Sequence, residues 1–260
     1  MEGNYQWAML SARKVAENPN KKLLADPAWA TLQHYYTIPY YVAIKFAKWD
    51  ELLRMCQADT VRLKYPTAIR HYARGMALAG KHQLPQAQLE LQQLEKLTTD
   101  ADIAKLKIGG LNPMRSLLDI ARRVLKAELL AQQGEVGAGI NLLREAVVLE
   151  DALTYQEPPD WFFPVRHNLG ALLLKANRSR EAEAVFADDL TIYPRNGWAL
   201  AGLYKAQVDQ GLTAKAQQTQ TLLNKAWQWA DKDVRSGKVA DLATSLGSPI
   251  LSHEGIVMGK

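Results

Sequence analysis

The chain has 260 residues, 48% of them apolar and 23% charged, with a formal net charge of +5. That length exceeds the usual single-core domain, which favours a body that buries its apolar surface locally, repeat by repeat. Lys and Arg are interleaved with Asp and Glu, which argues against a nucleic-acid role; the one cysteine, Cys56, excludes an intramolecular disulfide framework; and no run of about 18 apolar residues is present to span a membrane.

The first predicted helix runs from Tyr5 to about Glu17, with Tyr5, Ala8, Met9, Ala12 and Val15 or Ala16 on one face. It reads as the second helix of a pair with no first helix before it. Two expectations follow: the chain is the C-terminal portion of a longer protein, or a second copy covers this end to give a homodimer through the N-terminal helix. Residues 18–26 are polar, and Asp26-Pro27 starts the next helix with Pro at its first position. Pro39 interrupts the aromatic run HYYTIPYYVAIKF and predicts a break between Thr37 and Pro39. Lys48-Trp49-Asp50-Glu51 opens a short helix carrying Leu52, Leu53 and Cys56. A further pair follows Tyr65-Pro66, with Ile69, Tyr72, Gly75, Met76 and Ala79 on one helix and Leu84, Ala87, Leu91 and Leu94 on the other.

Residues 98–113 form an insertion, with a short helix expected at Asp102–Lys107 and a stop at Gly109-Gly110. Ser116–Gln133 and Val136–Leu149 make the next pair around Gly134-Glu135, and the acidic stretch EDALTYQEPPD at 150–160 is a second insertion. The clearest unit is Phe163 to Asn196. Leu169, Leu172 and Leu173 give one helix; Ala182, Val185, Phe186, Leu190 and Ile192 give another; Asn177-Arg178-Ser179 turns between them, Ser179 is the expected N-cap, and Pro194 stops the second. A last pair spans Asn196–Gln210 and Thr213–Trp229, with Gly202, Ala216, Leu222 and Ala226 roughly in register. Residues 231–260 are a polar tail with a weak helical window at Val234–Leu246.

The Phe163–Asn196 unit resembles a tetratricopeptide repeat, a 34-residue helix–turn–helix. Leu169-Gly170, Ala182, Phe186 and Pro194 fall on its pattern, while Arg166 and Asp189 depart from it. Gly170 and Ala182 are twelve apart, as are Gly75 and Ala87, and Ala127 and Gly139, and in the repeat this pair lets the two helices cross closely. The succession AKWDELL, HYARGMALA, LREAVVLEDAL, EPPDWFFPVRHNLGALLL and FADDLTIYPRNGWALAGLYKA is similar to the C-terminal half of longer, largely uncharacterised bacterial proteins of this family, over residues 1 to about 232. The resemblance implies an all-α, right-handed solenoid of about five helix pairs plus a leading helix over residues 1–230, an α–α superhelix.

No chemistry-bearing motif competes with this reading. The five histidines never take a metal-ligand spacing, and no phosphate loop, nucleophile elbow or paired-carboxylate signature occurs, so neither a metal nor a cofactor is expected and the chain is not read as an enzyme. Aromatic residues cluster at Tyr35, Tyr36, Tyr40, Tyr41 and at Trp161, Phe162, Phe163, either as plugs for the gaps left by Pro39 and the insertions or as part of a binding groove. By the resemblance, the first helix of each pair lines a concave groove, which places Tyr41, Lys45, Tyr72, Met76, Val124, Glu128, His167, Ala171, Lys175 and Leu203 there. A groove of this composition suits an extended or helical peptide, so the expected function is a scaffold for a protein or peptide partner. The rival is the regulatory or substrate-binding part of a longer enzyme whose catalytic residues lie upstream.

Overall fold

A computed structural model of the chain describes residues 3–17, 20–59 and 61–235; from residue 236 onward the expected helical window and polar tail lie outside them. The protein is all-α. In chain order the helices are α1 (Tyr5–Glu17), α2 (Lys21–Leu24), α3 (Thr31–Tyr36), α4 (Ile38–Lys45), α5 (Trp49–Ala58), α6 (Lys64–Gly80), α7 (Leu84–Thr98), α8 (Met114–Gln132), α9 (Val136–Asp151), α10 (Val165–Lys175), α11 (Ser179–Ile192), α12 (Gly197–Asp209), α13 (Thr213–Ala226) and α14 (Lys232–Arg235). Among the described residues no helix is long and apolar enough to cross a membrane.

One turn is used five times. Ala47, His82, Gly134, Asn177 and Gly211 have positive φ and follow α4, α6, α8, α10 and α12. After each, the next amide donates back five residues: Lys48 to the Ala43 carbonyl, Gln83 to Leu78, Glu135 to Leu130, Arg178 to Leu173 and Leu212 to Gln207, at 2.8–2.9 Å. This bond and the left-handed residue before it are the Schellman stop, which satisfies a helix-end carbonyl and reverses the chain within a few residues. The left-handed residues are 35, 52, 43 and 34 positions apart. The two wide intervals contain the insertions at 98–113 and 150–160.

The chain divides into two compact units, Gln6–Phe163 and Pro164–Lys260 with Met1–Tyr5. In the first unit α6 packs on α3, α4, α5, α7 and α8, and α8 also packs on α7 and α9. Small residues make this possible: a Cβ on Gly75 would stand 2.4 Å from Leu125 of α8, and one on Gly80 would meet the Trp49 indole at the same distance. In the second unit α10, α11, α12 and α13 pack in succession, and α10 also touches α12. The Phe186 ring is held between Gly170 and Gly202, where a Cβ would approach it to 2.4 and 2.1 Å. The same unit ties its chain ends together, since Asp231 donates from its amide to the Gly3 carbonyl (3.0 Å) and its carboxylate accepts from the Tyr5 amide (2.8 Å).

Several expectations are corrected. Asp102–Lys107 is not a helix but a 3-10 turn at Ile103–Lys105 followed by a two-residue ladder, Lys107–Ile108 against Asn112–Pro113, because Gly109 and Gly110 both take positive φ and fold the chain back as a hairpin. Ser179 does not cap α11; Arg178 stands at that position without a side-chain cap bond, and its guanidinium instead pairs with Glu181. Gly170 makes room for Phe186 of α11 and Gly75 for Leu125 of α8. In α13 Leu222 is exposed and Leu223 is buried with Ala216 and Thr219. The segment after α1 holds the short helix α2, capped by the Asn20 side chain on the Lys22 amide. The break at Thr37 is where Pro39 predicts it, with Thr37 closing α3 and opening α4.

Gly134 and Gly137 separate backbone strain from helix propensity, because neither has any atom within 4 Å of an added Cβ. Gly134 has φ +92°, so Gly134→Ala should cost about 1–2 kcal/mol. Gly137 lies within α9, so Gly137→Ala should be neutral or stabilising by up to about 1 kcal/mol. Urea unfolding of the two variants gives opposite signs if the turn is as described.

Candidate partner-binding face

In the first unit Tyr41 and Lys45 lie on α4, Tyr72 and Met76 on α6, and Val124 and Glu128 on α8. Each pair is four residues apart and therefore shares one face of its helix. Helix α4 is short because Thr37 and Pro39 restart the chain there, which separates its aromatic residues from His34 and Tyr35 on α3.

All six of these side chains are buried. Tyr41, Lys45 and Tyr72 are covered by residues 153–163, an irregular stretch between α9 and α10 that has neither helix nor strand. The Tyr41 ring contacts three residues of this strap, with centroids 5.6 Å from Trp161, 5.4 Å from Phe162 and 6.3 Å from Phe163. Trp161 also reaches Tyr72 (5.8 Å), Phe162 stacks on His34 (5.7 Å, 17° between planes), and the Lys45 ammonium sits 5.0 Å from the Phe163 ring centre. While the Tyr36 and Tyr40 hydroxyls donate to Asp59, Tyr41 thus joins the two aromatic clusters of the sequence. Such contacts contribute about 0.5–1.5 kcal/mol each beyond burial, and the ammonium–ring contact a similar amount.

The strap is fastened by amide side chains. Asn112, at the end of the hairpin, donates from Nδ2 to the Thr154 carbonyl (2.7 Å) and the Asp160 carboxylate (2.8 Å), and its Oδ1 accepts from the Thr154 amide (2.8 Å). Gln156 donates to Asp160 (3.0 Å) and to the Ile108 carbonyl (3.3 Å). Burial raises the Asp160 carboxyl above its usual range, and these two donors oppose that shift.

Beneath the strap the face is polar as well as aromatic. His34 is hydrogen-bonded through Nδ1 to the Tyr65 hydroxyl (2.9 Å), and burial pushes its pKa down to about 3, so the ring is neutral. The Tyr41 and Tyr72 hydroxyls are held above the ordinary phenol range, by burial first and then by the neighbouring phenols Tyr65 and Tyr72 in the case of Tyr41 and by Glu128 in the case of Tyr72. Glu128 accepts from Gln132 (2.8 Å). The Tyr41 hydroxyl stands beside that of Tyr65.

The other expected groove residues belong to the second unit. His167 is buried, with Nε2 3.1 Å from the Asp189 carboxylate and 2.8 Å from Asn196 Nδ2, and Asn196 also donates to Asp189 (3.0 Å) and caps α12 at Trp198. Asp189 is fully buried and its Oδ1 is unpartnered among the described residues. This polar knot joins α10, α11 and the start of α12, which explains the acid where the repeat pattern has a small residue. Lys175 is exposed in the last turn of α10. Elsewhere Cys56 is buried and its thiol is pushed up to about 12, which removes it as a nucleophile. Among the described residues no group of three His, Cys, Asp or Glu is placed to hold a metal ion.

Sequence reasoning missed His34, Tyr65, Asn112 and Asp160 as parts of this face. Asp160 was readable only as surface acid; what marks it is its place directly before Trp161-Phe162-Phe163. Comparison of the chain with protein-family models, with curated proteins and with solved structures gives no match.

The neutral His34 ring makes stability depend on pH. Its folded pKa of about 3 lies below the ordinary value of 6.5, so its contribution is complete above the unfolded pKa and is lost as pH falls from about 6.5 towards 3. The wild-type Tm should therefore drop between about pH 7 and pH 5, and His34→Gln should show a shallower drop over that interval. Parallel slopes in differential scanning calorimetry would contradict a buried neutral ring.

Proposed function

We propose that this chain is a tetratricopeptide-type helical repeat protein, built as a right-handed solenoid, that binds an extended peptide segment of a partner protein on the face formed by α4, α6 and α8. Support for the repeat comes from the five Schellman turns, two of whose intervals are close to 34 residues, with the excess in the others falling at the insertions. The observation that carries the binding role is the chemistry of the covered face. Lys45, His34, Tyr41 and Tyr72 lie against an irregular segment of chain, residues 153–163. A permanent core gains little from burying ionisable groups, because their desolvation opposes the apolar gain. A peptide site needs such groups to set orientation inside an apolar groove.

The test is selection of peptides from a random displayed library, followed by NMR of the isotope-labelled protein with the selected sequences. Binding peptides should shift the signals of Tyr41, Lys45 and Tyr72. Selection of no peptide, or of peptides whose shifts are confined to α10–α13, would overturn the proposal.

A further inference from the structure

We infer that residues 153–163 are an internal occupant of this face, and that the external ligand which replaces them is an extended peptide with an acidic residue directly before two or three aromatic residues, the chemistry of Asp160-Trp161-Phe162-Phe163. The inference rests on the peptide-binding reading above and adds the ligand class and a built-in competitor.

Three features separate the strap from ordinary core. It carries no backbone–backbone hydrogen bond over residues 154–163 among the described residues; amide side chains and ring contacts hold it. Its outward residues are open to solvent, with Tyr155 72% exposed and Glu157 and Pro158 also exposed. Asp160 and Trp161 are buried on the inner side, and detaching the segment breaks no helix and no ladder. On the inner side the strap meets the face through rings, with Tyr41 touching all three of its aromatic residues.

The ligand class follows from what the face already holds. The Lys45 ammonium takes an aromatic ring at 5.0 Å, the His34 plane takes a stacked ring, and Tyr41 with Tyr72 takes an indole. The Asn112 and Gln156 amides converge on a carboxylate one residue before that indole. Gln156 leaves with the strap, so the acid of an incoming peptide meets Asn112. An internal occupant lowers apparent affinity by the fraction of time it is detached, so loosening it strengthens external binding without any new contact.

The experiment uses the full chain and a fluorescein-labelled peptide, TYQEPPDWFFP, read by fluorescence anisotropy. Wild type is compared with Gln156→Ala, which removes a fastening that lies on the strap itself and leaves Asn112 in place, and with Trp161→Ala/Phe162→Ala, which empties the aromatic positions. Both variants should bind the peptide at least about tenfold more tightly than wild type. A peptide with its Trp and both Phe replaced by Ala should lose binding. Equal affinity in wild type and both variants, or equal binding of the alanine peptide, would overturn the inference. If Trp161→Ala/Phe162→Ala loses helix content, Gln156→Ala decides alone, and unchanged affinity there rejects the strap as a competitor. Library peptides that bind α4, α6 and α8 while TYQEPPDWFFP fails to displace them would overturn this inference and leave the peptide-binding reading standing. Absence of both kinds of binding would remove both.

Discussion

The helix stop repeated at Ala47, His82, Gly134, Asn177 and Gly211 is the constraint on which the rest depends. Each places one residue in the left-handed region so that the next amide can reach back five residues to a helix-end carbonyl. Only two of the five are glycine. The other three accept a conformation that disfavours a Cβ by about 1–2 kcal/mol, which makes sense only if the reversal is needed at that point for the following helix to pack. The contacts that follow agree: α6 against α7, α8 against α9, α10 against α11 and α12 against α13 are all neighbours across such a turn.

Close packing of the turned helices sets the second layer of constraint. Phe186 fits because Gly170 and Gly202 leave its ring space on both sides, and Leu125 reaches α6 because Gly75 has no side chain. Where packing alone would suffice, the second unit adds a polar knot of His167, Asp189 and Asn196. Removing one member of such a buried group leaves the others desolvated and unpartnered, so the knot specifies one arrangement of α10, α11 and α12 more than it adds stability. The first unit uses buried polar groups differently. There they lie under a strap with exposed outer residues.

Most helices were legible because their signals are local. Apolar spacing, Pro39 and Pro194, and the turn residues around Gly134 and Asn177 act within a few positions of the helix ends they set. The hairpin at residues 107–113 was less so, since Gly109-Gly110 reads equally as a helix stop or as the turn of a short ladder, and the pairing of Lys107 with Pro113 decides it. The face was half legible. Position on α4, α6 and α8 follows from periodicity, but burial does not: Tyr41, Lys45 and Tyr72 are closed off by residues more than 80 positions later, and nothing local in either segment announces the other. Asn112 was invisible for the same reason, because its role comes from Thr154 and Asp160. The spacing of the glycines points to helix crossings, and Gly170 and Gly75 each admit a large side chain from a neighbouring helix.

The account stands or falls on the seating of the strap in solution. Through-space NMR contacts in protein labelled selectively on its aromatic residues measure it directly. Cross-peaks between the Phe162 and His34 rings, and between Trp161 and both Tyr41 and Tyr72, are predicted from centroid separations of 5.7, 5.6 and 5.8 Å. Their absence, with the Trp161 indole proton exchanging freely with water, would contradict a face closed by its own chain.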